Sequence, residues 1–139
     1  MVEELRVPVA SEEDIIAARK KGREMAGQLG FSPTDMVLVA TAISELARNM
    51  LSYASRGEIV LREKTCCERR AIEVVARDAG PGIPDLKQVM QGGFSTSGGL
   101  GLGLPGVRRL MDDFEITSRV GEGTTVTTRK WKNHLNAAH

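Results

Sequence analysis

Glu45 and Asn49 stand four positions apart in Glu-Leu-Ala-Arg-Asn, so on a helix they share one face, one turn apart. Thr41 and Ser52 extend the same polar stripe. A side-chain amide oxygen such as that of Asn49 can ligate Mg²⁺, an ion that prefers oxygen donors and keeps waters beside phosphates. A carboxylate one turn away, Glu45, can take the proton of an attacking hydroxyl. Taken alone, the pair fits a solvated helix face better than a site.

A second signal is Asp78-Ala-Gly-Pro-Gly82, at the end of the strand-like run Ile72-Glu-Val-Val-Ala-Arg-Asp78. An ionised carboxylate only accepts hydrogen bonds, which is what an exocyclic adenine amine requires. Gly80 and Gly82 remove side chains where a purine has to approach the backbone. An ordinary strand-to-turn junction uses the same residue types. The third signal, Gln91 to Gly106, holds seven glycines in sixteen residues and leads into a helix whose free N–H groups and dipole favour an anion. This is the pattern of a loop that closes over phosphates. Ser95, Thr96 and Ser97 add hydroxyls, and the alternating Leu100, Leu102 and Leu104 seek burial in a closed state. Last comes Gly121-Glu-Gly-Thr124, a glycine turn that by itself is an ordinary hairpin connection.

Several nucleotide motifs are excluded. Gly101, Gly103 and Gly106 satisfy G-x-G-x-x-G, but no strand precedes them and no βαβ unit surrounds them, so the Rossmann reading fails. There is no G-x-x-x-x-G-K-[ST], and no V-A-I-K, H-R-D and D-F-G series.

The elements that position these residues can be read from caps and periodicity. Leu5–Val9 alternates as a short strand that Pro8 confines to a sheet edge. Ser11 caps a helix that Gly30 ends near Leu29, and Ser32-Pro33 opens a second, about Thr34 to Tyr53, with Val37, Leu38, Ile43, Leu46 and Met50 at helical spacing. Strands follow at 58–65 and 71–78, joined by a polar hairpin around Glu68-Arg69-Arg70. A short helix at 85–91, another at 104–112 with Pro105 in its first turn, and strands at 114–119 and 124–131 complete the order. Helices followed by a sheet predict an α+β two-layer sandwich, a mixed, mostly antiparallel sheet with helices on one face.

The chain of 139 residues is sized for one domain, ordered over about 5–131 with a flexible tail at 132–139. A net charge of +1 argues for neither nucleic acid nor an anionic membrane, and no apolar run approaches the roughly 18 residues of a membrane span. The N-terminus lacks the apolar core of a secretory signal, so the expected location is cytoplasmic. Cys66 and Cys67, adjacent, form no CxxC pair and read as two reduced thiols near a turn. His134 and His139 fall in the tail. The basic pairs Lys20-Lys21, Arg69-Arg70 and Arg108-Arg109 read as solvated faces, the last just past the glycine loop.

In order and spacing, the four signals resemble the N, G1, G2 and G3 boxes of the GHKL ATP-binding family, over about Leu5 to Trp131. Ala42-Ile-Ser-Glu-Leu-Ala-Arg-Asn49, Asp78-x-Gly-Pro-Gly-Ile-Pro84, Ser95-Thr-Ser-Gly-Gly-Leu-Gly101 and Leu104-Pro-Gly-Val-x-Arg-Leu-Met-Asp112 are similar to the anti-sigma-factor serine/threonine kinase branch, and within it to the stressosome switch kinases. The resemblance implies a Bergerat sandwich, ATP and Mg²⁺, and phosphotransfer to Ser or Thr of STAS-domain scaffold and antagonist proteins. It further implies activation of a PP2C-type phosphatase on release. By position, Glu45 would be the catalytic base, Asn49 the Mg²⁺ ligand and Asp78 the adenine partner. Gly80, Gly82, Ile83, Ser97, Gly98, Gly99, Leu100, Gly101, Leu102, Gly103 and Thr124 would complete the ATP site. The sporulation kinase of the branch has an arginine before its second glycine box, where this chain has Ser95-Thr-Ser97. A partner-binding module with a structural nucleotide, and a simple ATPase, are the rival expectations.

Overall fold

The computed structural model describes residues 4–90 and 103–132. In chain order these form β1 (Glu4–Val9), α1 (Glu12–Gln28), α2 (Pro33–Ala54), β2 (Gly57–Cys66), β3 (Arg69–Asp78), α3 (Leu86–Met90), α4 (Gly103–Leu110), β4 (Asp113–Arg119) and β5 (Gly123–Trp131). Local chemistry sets the helix ends. Ser11 Oγ accepts from the Asp14 N–H at 3.4 Å, and Ser32 Oγ from the Asp35 N–H at 3.1 Å, so each hydroxyl satisfies one orphan donor. Gly30 (φ 90°) ends α1, and Ser55 (φ 70°) ends α2.

The five strands form one sheet in the order β1-β2-β3-β5-β4, with β1 on an edge. Every pairing is antiparallel, so the mixed sheet expected from the sequence is antiparallel throughout. Helices bridge β1 to β2, which are antiparallel neighbours, and β3 to β4 at the far edge, from which the chain turns back as β5 between them. The β2–β3 hairpin turns at Cys67 and Glu68; Arg69 and Arg70, expected in the turn, already belong to β3.

Alternation along each strand gives the sheet two unlike faces. Val7, Val9, Ile59, Leu61, Ile72, Val74, Ala76 and Val126 meet Ile15, Ala18 and Met25 of α1 and Val39, Ile43, Leu46, Ala47 and Met50 of α2 in a single core. α1 approaches α2 so closely at Gly22 that a Cβ there would overlap Ile43. Val37, expected in the apolar stripe of α2, is half-exposed; the buried stripe runs instead through Val39, Ala42, Ile43, Leu46 and Met50.

The other face combines the buried Val60, Ala71 and Val75 with a row of charges. Glu4, Arg62, Glu73, Arg129 and Asp113 are register partners in one row across all five strands, alternating in charge. Glu73, only 1% exposed, accepts from Arg62 Nε and from Arg129 Nε, the latter at 2.8 Å. Burial alone pushes the Glu73 carboxyl up, but the hydrogen bonds and charges of Arg62 and then Arg129 outweigh it and hold the group below the usual carboxylate range.

Candidate functional site

The candidate residues converge where α2 crosses the ends of β3 and β5. Asn49 and its neighbours Leu46 and Met50 line a narrow cleft against Ala76 and Asp78 of β3 and Thr124 and Val126 of β5. Asp78 and Thr124 are direct register partners. Asp78 Oδ1 accepts from the Gly80 N–H at 2.9 Å and the Thr124 N–H at 3.3 Å. These bonds orient the carboxylate and leave Oδ2 without a partner among the described residues. An acceptor held this way is suited to a ligand amine.

The segment after Asp78 is stitched to the β4–β5 turn. The Gly121 N–H donates to the Pro81 carbonyl at 2.8 Å, and the Ile83 N–H to Ser118 Oγ at 2.7 Å. Ser118 Oγ in turn donates to the Gly123 carbonyl at 3.2 Å, and its oxygen lies 2.8 Å from Thr124 Oγ1. Ser118 thus ties the Asp78–Ile83 segment to the Gly121–Thr124 turn, a role no sequence signal carries, because it is one serine among alternating strand residues. Gly80 and Gly82 have a packing reason of their own: a Cβ on Gly80 would lie 2.5 Å from Ala54 Cβ, and one on Gly82 (φ 80°) would strike the Arg119 carbonyl. Ile83 is buried and joins the core.

Glu45 faces a different element. Its side chain is 12% exposed; Oε1 accepts from the Gly103 N–H at 3.3 Å, and Oε2 pairs with Arg48 Nη1 at 3.1 Å. The N-terminus of α4, expected to favour an anion, therefore receives the carboxylate of Glu45. α4 packs on α2, which brings Gly103 to Glu45 across 58 residues of sequence. Arg108 and Arg109 are exposed, and Arg108 lines a separate cavity with Asp112, Asp113, Phe114, Glu115 and Arg129. Ser97, Gly98, Gly99, Leu100, Gly101 and Leu102, like Ser95, Thr96, His134 and His139, lie outside the described residues.

The described residues thus bring together Glu45 with Gly103, and Asn49 with Asp78 and Thr124, one helical turn apart on α2. An amide oxygen and an oriented carboxylate suit Mg²⁺ and a purine amine, and the N–H groups of the α4 N-terminus, now facing Glu45, suit a phosphate. Among the described residues no cluster of three His, Cys, Asp or Glu could hold a metal without help from such a ligand. Nor is any described helix long and apolar enough to cross a membrane.

Comparison with known proteins identifies the family of the fold. Residues 34–134 match the family described as histidine kinase-, DNA gyrase B-, and HSP90-like ATPase. The chain is 50% identical over 125 residues to the serine/threonine-protein kinase RsbT of Bacillus subtilis, covering 90% of this chain and 94% of that one. It is 31% identical over 120 residues to the anti-sigma F factor of Caldanaerobacter subterraneus, covering 82% of each. Among solved structures, the RsbU and RsbW domains of a Mycobacterium tuberculosis protein superpose with a TM-score of 0.61 at 18% identity, covering 94% of this chain and 33% of that one. The mycobacterial sensor histidine kinase MprB does so with a TM-score of 0.54 at 16% identity, covering 94% and 97%. At such identities these two structures establish the fold alone.

Proposed function

The chain belongs to the histidine kinase-, DNA gyrase B- and HSP90-like ATPase family, and from that membership we propose a protein serine/threonine kinase of partner switching. The substrates are ATP and a serine or threonine of a STAS-domain scaffold or antagonist protein. The kinase works in the cytoplasm, and on release from the scaffold it activates a PP2C-type phosphatase. The observation that carries this reading is the placement of Glu45 at the N-terminus of α4, one turn from Asn49, which shares a cleft with Asp78. Half-identity to a serine/threonine-protein kinase along nearly the whole chain supports it.

In this reading Asp78 Oδ2 accepts from the adenine amine, while Gly80, Gly82, Ile83 and Thr124 form the wall around it. Asn49 offers its amide oxygen to Mg²⁺, which when bound draws negative charge off the transferring phosphoryl group. Gly103 belongs to the phosphate end of the site, to which the sequence also assigns Ser97, Gly98, Gly99, Leu100, Gly101 and Leu102, and the α4 N–H groups stabilise the charge that develops there. Glu45 leaves Gly103 to the phosphate and accepts the proton of the attacking hydroxyl. The phosphate then placed on the scaffold adds about two negative charges to the interface and weakens its grip on the kinase.

The test is incubation with γ-labelled Mg-ATP and a STAS-domain scaffold from the same genome, beside an Asp78→Asn control. The substitution keeps an oxygen for Gly80 and Thr124 but turns Oδ2 into a donor, so nucleotide binding should weaken by roughly 100-fold. Label on a scaffold Ser or Thr, absent with the control, supports the kinase. ATP binding without label would turn the reading to a partner-binding module, and free phosphate without labelled protein to a simple ATPase.

A further inference from the structure

Far from this site, at the tip of the β2–β3 hairpin, Cys66 and Cys67 present their sulfurs 3.4 Å apart, both side chains exposed. Successive residues of a strand point to opposite faces, so neighbouring thiols ordinarily diverge. They meet here because Cys67 has left the strand conformation for the left-handed region (φ 55°), followed by Glu68 (φ 69°). Two positive φ values in a row are what a two-residue hairpin turn demands, and Asn-Gly meets that demand without strain. This chain uses Cys-Glu instead. Strain accepted at a turn, with two nucleophiles brought into contact by it, is an outlier that asks for a function.

The two sulfurs lie within hydrogen-bond distance of each other, and either thiol can donate. The hydrogen bond to Cys67, and then the charge there, push the Cys66 thiol up, while Arg69 works in the opposite direction. Among the described residues no third His, Cys, Asp or Glu joins them in a metal-holding group, so the four ligands of a structural zinc site are not assembled. A centre satisfied by two sulfurs suits the pair better.

We propose that the hairpin tip is a dithiol site for a soft, trivalent metalloid, the arsenic(III) class of ligand, gripped between Cys66 Sγ and Cys67 Sγ. With an organic arsenic(III) oxide two sulfur–arsenic bonds form and the arsenic–oxygen bond breaks. Both thiol protons leave with that oxygen as water. Arsenic stays trivalent, so no oxidant or reductant takes part.

The tip has its own reporter. Trp131, the single tryptophan of the chain, pairs in register with Ala71, and the Arg69 guanidinium lies 5.3 Å from the centre of its ring. The Lys132 N–H donates to the Arg70 carbonyl at 2.7 Å, which holds the end of β5 to the same turn. Asp78 lies at the other end of β3, about 30 Å away at the usual rise per strand residue. Occupancy of the tip is therefore measured independently of nucleotide chemistry.

The full-length protein, kept reduced with a phosphine, is titrated with phenylarsine oxide and followed by Trp131 fluorescence and intact mass. The expected result is one arsenical per chain, a fluorescence change complete at one equivalent, survival of the adduct in excess monothiol, and release by a dithiol. Cys66→Ser and Cys67→Ser, each with an unchanged melting temperature, should each bind at least tenfold more weakly. Equal capture by either single variant, or loss of the wild-type adduct to monothiol, overturns the site.

Discussion

Two nearly buried glutamates, Glu45 on α2 and Glu73 on β3, show how differently one fold can hold the same side chain. Glu73 sits on the sheet face opposite α1 and α2, between two arginine Nε groups, one for each oxygen, inside a charge row that crosses all five strands. Each oxygen is held by a cation of its own. Glu45 sits on the helix side with one long backbone bond to Gly103 and one pairing with Arg48, whose side chain is 44% exposed. In the proposed reaction both partners are exchanged, the first for a phosphate and the second for water. A carboxylate enclosed by strong cations is part of the framework, whereas one held by replaceable partners is free to take a proton. The contrast lies in the partners, since both side chains are largely removed from solvent.

Glu45→Gln tests the chemical half of this contrast and carries the largest expected effect. Glutamine keeps an oxygen for Gly103 but is no base, so phosphotransfer should fall by about 10²–10⁴ in kcat while ATP affinity and melting temperature stay nearly unchanged. Full activity together with a lowered melting temperature would place Glu45 with Glu73 among the structural carboxylates and break the comparison.

The same substitution at Glu73 should do the reverse. Glu73→Gln leaves Arg62 and Arg129 facing each other without their shared anion. Removing one partner of a buried ion pair is strongly destabilising, and partial exposure of both arginines lowers the cost here to about 2 kcal/mol, or roughly 6 °C in melting temperature. Phosphotransfer per folded molecule should not change. The effect also depends on acid. Because the folded Glu73 carboxyl titrates below the usual range, the unfolded chain binds more protons as pH falls. Its stabilisation is complete above the ordinary carboxylate value and is lost as pH drops through the depressed one. Melting curves between pH 7 and pH 3 should therefore show the gap between wild type and Glu73→Gln closing in acid; a constant gap would mean that the charge of Glu73 is not what stabilises the sheet.

Much of the helix side was legible in the sequence because its determinants are local. Ser11, Gly30 and Ser32-Pro33 mark helix ends through contacts within four residues, and Glu45 and Asn49 share a face by spacing alone. What the sequence could not supply was register. Asp78 opposite Thr124, and Ser118 bonded to both sides of the turn, depend on how β3, β4 and β5 align. The union of Glu45 with Gly103 spans 58 residues and depends on α4 packing against α2. Glu73 was the least visible of all. In Ile72-Glu-Val-Val it alternates like any solvated strand residue, and its burial comes from arginines on two other strands. Val37 misled in the opposite direction: it fits a helical period, but the stripe that meets the sheet is turned away from it.

The smallest expected effect, and the finest test of the contrast, belongs to Arg48. It forms an i,i+3 pair with Glu45 at the surface, and such pairs are typically worth about 0.2–1 kcal/mol. If the partners of Glu45 are replaceable, Arg48→Ala should cost less than about 1 kcal/mol in stability. Its effect on kcat should stay within roughly threefold, the rate equivalent of well under 1 kcal/mol, because water takes the place of the guanidinium without moving the carboxylate from α4. Any loss that does occur should be restored by Arg48→Lys, which keeps the charge. A tenfold or larger fall in kcat at unchanged KM, with no rescue by lysine, would show that the guanidinium fork holds Glu45 in its working position. Arg48 would then be to Glu45 what Arg62 and Arg129 are to Glu73, and the difference between the two glutamates would be one of degree.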